Sequence, residues 1–152
     1  MKRITIISLI MFFAAIAIAQ SDDSRTRNYN IKKGIAIEGY DPVSYFNNKP
    51  EEGDPKIFFT YHGITYRFAN TVNYSAFRSN PEKYEPAYGG WCAYAMGANG
   101  EKVKIDPETF KIKDGRLHLF YNFWGNNTLT DWNSNENVLK TKADQNWRKF
   151  VP

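Results

Sequence analysis

Two stretches of this chain alternate apolar and polar side chains around a two-residue break whose second member is glycine. Ile57 to Tyr61 and Ile64 to Ala69, rich in aromatic and β-branched residues, flank His62-Gly63. Counting outward pairs Tyr61 with Ile64, Thr60 with Thr65 and Phe59 with Tyr66, so Phe59, Tyr61, Ile64 and Tyr66 share the face expected to be buried. Phe110 to Lys113 and Arg116 to Leu119 repeat the arrangement around Asp114-Gly115, with Phe110, Ile112, Leu117 and Leu119 on one face. Between the hairpins, Thr71 is placed to cap a short helix carrying Tyr74, Ala76 and Phe77 that stops near Asn80, because Pro81 follows. Asn80-Pro81-Glu82 restarts a turn of helix with proline at the first helical position. Near the end of the chain, Leu139, Ala143, Trp147 and Phe150 recur at helical spacing, with Lys140, Lys142, Asp144 and Arg148 between them. That stripe predicts an amphipathic helix docking on the sheet. Hairpins and short helices without alternating βαβ units predict an α+β domain: a small antiparallel sheet packed against short helices and a C-terminal amphipathic helix.

The first 33 residues follow a different pattern. Met1-Lys2-Arg3 precedes an uncharged, mostly apolar run from Ile4 to Ala19 that ends Ala17-Ile18-Ala19. A charged start, an apolar middle and small residues before Gln20 predict a signal peptide over 1–19, cleaved after Ala19. At about 1.5 Å per residue the run would span roughly 24 Å, short of the roughly 30 Å bilayer core, which argues against a membrane anchor. The expected location is periplasmic or secreted. Residues 20–33 are polar and read as a flexible lead-in, leaving 34–152 as the domain.

Composition narrows the function classes. At 42% hydrophobic and 24% charged, the 152 residues suit one ordinary globular domain. The formal charge of +4 includes Lys2 and Arg3 of the leader, too little to argue for nucleic acid as a partner. One cysteine excludes an intrachain disulfide and any zinc site needing two thiolates from this chain.

That cysteine, Cys92, is the most informative single residue, because a lone thiol in an oxidising compartment invites pairing with another chain unless it is buried, ligated or used. Met96 follows four residues later and shares its face whether the segment is helical or extended. Thiolate and thioether form a soft pair suited to Cu(I), and they are equally at home as core packing. His62 can add an imidazole if its hairpin tip folds toward them, although a turn position is usually exposed. His118 pairs opposite Lys111 and beside Lys113 and Arg116, so it is expected on a cationic surface and outside any site. Tyr88, Trp91 and Tyr94 surround Cys92, and Phe123 with Trp124 stands in an Asn-rich loop. Such rings are usually core, and where exposed they stack on a sugar or other flat ligand or cover a cofactor pocket. Asp41, Asp106 and Asp114 are explained by turns, and no hydrolase, metalloprotease or phosphate-loop motif is present.

Tyr40-Asp41-Pro42-Val43-Ser44-Tyr45-Phe46, Tyr61-His62-Gly63, Asn80-Pro81-Glu82-Lys83-Tyr84 and Tyr88-Gly89-Gly90-Trp91-Cys92-Ala93-Tyr94-Ala95 together resemble exported bacterial YHS-domain proteins. The likeness continues through Ile105-Asp106-Pro107, Asp114-Gly115 and Ala143-Asp144-Gln145-Asn146-Trp147. It implies kinship with the cysteine-rich TRASH metal-binding modules, hence metal handling, and no known reaction. Where cysteine-bearing relatives carry a Phe-Cys-x-x-x-Cys-like stretch, Phe68 is followed here by Ala69, Asn70, Thr71, Val72 and Asn73. The resulting expectation is an extracytoplasmic, non-catalytic binding module, with a soft metal such as a copper ion as the implied cofactor. An apolar small-molecule binding protein and a thiol-dependent enzyme using Cys92 are the alternatives.

Overall fold

The computed structural model describes residues 22–151, so the leader and its cleavage point lie outside the described residues. A first helix, α1, covers 22–28, and strands β1 (Ile31–Lys32) and β2 (Ile35–Ala36) follow. The first hairpin forms as β3 (Asp54–Tyr61) and β4 (Ile64–Phe68), with the expected pairings of Tyr61 with Ile64, Thr60 with Thr65 and Phe59 with Tyr66. These strands make a four-stranded sheet in the order β1-β2-β4-β3, in which β2 runs parallel to β4. The central position of β4 explains why Ile64, Tyr66 and Phe68 are fully buried.

Helix α2 (Thr71–Ser79) covers this face, with Phe77 packed against Tyr66 and Phe68. Its cap is Asn70 rather than Thr71: the Asn70 side chain, on extended backbone, accepts the Asn73 N–H at 2.9 Å. Proline at the first helical position starts α3 (Pro81–Tyr84). A 3-10 turn at Ala87–Gly90 leads to α4 (Ala93–Ala98).

The second hairpin, β5 (Asp106–Lys113) and β6 (Arg116–Phe120), also has the expected register, with Ile112 opposite Leu117 and Phe110 opposite Leu119. A short ribbon, β7 (Asn122–Phe123) and β8 (Asn126–Asn127), then turns through Trp124-Gly125 into α5 (Thr128–Ser134) and α6 (Glu136–Trp147). The fold is α+β, with small antiparallel sheets between short helices.

Three expectations are corrected. Residues 22–33 are not a loose lead-in. The Arg25 guanidinium meets Glu85 at 2.5 Å, Asn28 Nδ2 donates to the Phe150 carbonyl, and the Trp91 indole N–H donates to the Asn28 carbonyl. Polar composition concealed this because the anchors are long-range hydrogen bonds, which leave no apolar period. Helix α6 docks chiefly on α4 rather than on a sheet, and a Cβ at Gly97 would fall on the Leu139 carbonyl, so only glycine permits that approach. His118 is buried, with 1% of its surface exposed, between the rings of Tyr88 and Trp132. The 3-10 turn and α5 cover the face of β6 that hairpin alternation assigned to solvent.

Candidate functional site

Cys92 is the N-cap of α4, on non-helical backbone, and its N–H donates to the Val103 carbonyl at 3.0 Å. Its sulfur accepts the Tyr121 backbone N–H at 3.4 Å and lies 3.4 Å from Thr128 Oγ1. Thr128 donates its one hydroxyl proton to the Tyr121 carbonyl at 3.0 Å. The thiol is therefore the donor in the Cys92–Thr128 contact, and the three residues form a closed circuit joining α4 to the start of α5.

This circuit floors a cleft of about 220 Å³ between α4 and the segment from Tyr121 to Thr128. Buried Cys92, Ala95 and Thr128 form the floor, half-buried Tyr94, Val103 and Tyr121 the walls, and exposed Ala98, Asn99, Glu101 and Asn126 the rim. Asn127 caps α5 by accepting the Leu129 N–H, which ends the β7–β8 ribbon and fixes the outer wall. A wider depression of about 470 Å³ runs along one face of α6, past Asn137, Thr141 and Gln145, but it is lined by exposed or half-exposed side chains without a buried floor.

The structure brings few of the sequence-selected residues together. Tyr94 lines the cleft. Tyr88 does not: it sits on left-handed backbone at φ 55°, in the cluster around Trp132, and donates its hydroxyl to Asp144 at 3.0 Å. Trp91 faces the N-terminal segment through Asn28. Met96 packs with Ala87, Phe120, Trp132 and Ala143, whereas Cys92 packs with Ile105, Leu117 and Leu119. The shared-face expectation for positions 92 and 96 fails because Cys92 is a cap, outside the helical repeat. His62 occupies its turn at φ 45°, with Nδ1 2.8 Å from Asp22 Oδ1 and its ring against Tyr61. Cys92, Met96 and His62 are thus three separate environments. Among the described residues no three His, Cys, Asp or Glu side chains are grouped to hold a metal ion.

Other buried polar groups are committed to the fold. Asp41 accepts the Val43 N–H at 2.8 Å, the Ala69 N–H at 2.9 Å and the Asn73 amide at 2.7 Å. Glu85 accepts from Arg25 and from Tyr66, each at 2.5 Å. Burial first, and the Glu85 charge second, push the Tyr66 hydroxyl well above its ordinary range. Burial likewise pushes the His118 imidazole down to about 4, against the bond to the Arg116 carbonyl and with the Arg116 and Lys140 charges adding to the shift.

Sequence reasoning missed Val103, Tyr121 and Thr128 as cleft residues. The available signal was Asn127-Thr128, a capping pair that starts α5 beside the aromatic loop. That loop carries the most exposed large ring described, Trp124, with 88% of its surface in solvent and φ 52°.

Comparison with known protein families, with curated proteins and with solved structures finds no match for this chain.

Proposed function

We propose that this chain is an extracytoplasmic, non-catalytic binding module of the YHS type, and that it holds a small, largely apolar molecule in the cleft over Cys92. The observation that carries the reading is the cleft itself: an apolar wall of Tyr94, Val103 and Tyr121, a buried floor with its polar atoms mutually satisfied, and a rim of Asn99, Glu101 and Asn126. Apolar walls with a few polar groups at the mouth are the usual composition of small-molecule sites. A volume below the roughly 300 Å³ of drug-sized pockets limits the occupant to one ring or a short chain.

Catalysis by Cys92 is a weaker reading because its hydrogen donates to Thr128 and its sulfur accepts from Tyr121, with no base among the described residues in hydrogen-bond contact with it. A soft metal keeps Cys92 as its only ligand from the proposed trio, since Met96 and His62 lie elsewhere. Elemental analysis of untagged protein addresses that alternative directly.

An amide NMR titration with indole tests the cleft. Shifts are expected at Tyr94 to Asn99 and Tyr121 to Thr128, and Ala98→Trp, which fills the mouth from an exposed position, should remove them. Indole shifts scattered elsewhere, or unchanged in Ala98→Trp, would overturn the assignment.

A further inference from the structure

One wall of the cleft also belongs to an aromatic cluster outside the cleft's own lining. Tyr121, one of its walls, stands with its ring centroid 5.1 Å from Phe123 and 6.4 Å from Trp124, and those two rings are 6.0 Å apart. Lys104, next in sequence to the wall residue Val103, places its ammonium 4.4 Å from the Phe123 ring centre and 5.0 Å from that of Trp124. Lys104 is exposed and, like Lys83 over Phe46 and Tyr84 and Lys102 over Phe150, meets no carboxylate among the described residues.

Backbone strain marks the same loop. Trp124 holds a left-handed conformation in a two-residue turn, where glycine, asparagine or aspartate is ordinarily found. A bulky side chain in that conformation costs free energy, and here the ring it carries is left in solvent beside an unneutralised cation. Within the described residues the ring gains only the Tyr121 and Phe123 rings and the Lys104 ammonium.

We infer that the cleft's occupant is a small aromatic anion, its ring against Tyr121, Phe123 and Trp124 and its negative group on Lys104. This deepens, and rests on, the reading of the cleft as a small-molecule site. The rings supply a flat apolar surface, and the ammonium over Phe123 and Trp124 supplies charge complementarity on the Tyr121 side of the cleft. Glu101, the acidic rim residue, follows Ala98 and Asn99 from α4, whereas Lys104 is stationed on the aromatic ribbon, so the two charges orient the anion toward the ribbon.

Titrations of the protein with phenylacetate and with its neutral counterpart phenylacetamide, read by tryptophan fluorescence and amide NMR at low salt, test the inference. Phenylacetate should bind about fivefold more tightly, the worth of one exposed charge contact. Lys104→Met should erase that preference, Glu101→Gln should strengthen phenylacetate binding, and Trp124→Ala should weaken both probes. Circular dichroism of each variant reports the fold separately. Equal affinity of the wild type for both probes overturns the anion inference while the cleft reading stands, as does failure of both when indole still shifts the cleft amides. A full preference retained in Lys104→Met overturns the assignment of the negative group. Failure of indole as well removes the cleft reading and this inference with it.

Discussion

The sulfur of Cys92 and the hydroxyl of Thr128, 36 positions apart in the chain, meet at 3.4 Å, and this contact ties the start of α4 to the start of α5 beneath the cleft. It explains how an unpaired thiol is kept in this fold: Cys92 has no accessible surface. Native protein should therefore react with a thiol reagent such as dithionitrobenzoate only as fast as it opens, and at full speed in denaturant. Rapid stoichiometric labelling of the folded protein would contradict the buried circuit. Thr128→Val leaves the Tyr121 carbonyl with the Thr128 backbone N–H but removes the acceptor of the buried thiol, at an expected cost of about 1 kcal/mol in denaturant melts, with faster labelling.

His118 makes stability depend on pH in a defined window. Its pKa is lowered from 6.5 to about 4, first by burial, so the unfolded chain binds the proton more readily than the folded one. Stability is at full strength above pH 6.5, falls as pH drops toward 4, and loses no more from this group below that, roughly 3 kcal/mol in all. The charged groups involved are Arg116, Lys140 and Asp144. His118→Gln should flatten this part of the profile, and urea melts between pH 4 and 7 measure it; an unchanged slope in the variant would assign the loss to other groups.

Gly97 separates helix propensity from packing. Alanine is favoured over glycine inside a helix by about 1 kcal/mol. At this position a methyl would strike the Leu139 carbonyl on α6, whose backbone cannot move aside without lifting the helix. Gly97→Ala should therefore destabilise by about 1 to 3 kcal/mol despite its better propensity. A rise in thermal midpoint would show that α6 is not seated as described.

Arg25 and Glu85 form a nearly buried pair, with 12% and 10% of their side chains exposed, and Glu85 also holds the Tyr66 hydroxyl. Arg25→Met leaves the carboxylate without its cation and should cost about 3 kcal/mol, whereas the double change Arg25→Met with Glu85→Gln should recover part of it. Chemical denaturation of the set measures the coupling, and strict additivity would mean that the pair is not formed.

Trp124 gives the opposite sign. Replacing it by asparagine, which accepts left-handed backbone more readily, should raise stability by about 0.5 to 1 kcal/mol while weakening the phenylacetate response. Thermal melts alongside the titration read both effects, and a loss of stability would place the indole in the fold's own packing.

Both hairpins were legible from local pattern, because a two-residue turn with glycine second fixes which residues face each other and the period of two then assigns faces. His62-Gly63 and Asp114-Gly115 therefore set the observed registers of Phe59 with Tyr66 and of Ile112 with Leu117. The helical stripe of Leu139, Ala143 and Trp147 similarly announced α6. What covers a surface is a different matter, since it depends on elements remote in the chain. His118 looked solvated until Tyr88 and Trp132 closed over it, and the polar segment from Asp22 to Lys33 looked loose until Glu85, Gly89 and Phe150 supplied partners. The sequence alone determined the two long hairpins with their turns and the helical faces of α2 and α6, because these follow from short-range sterics and periodicity. Only the tertiary structure decided that Cys92 meets Thr128 and Tyr121 rather than Met96 and His62, because a helix cap takes its neighbours from whatever packs across it.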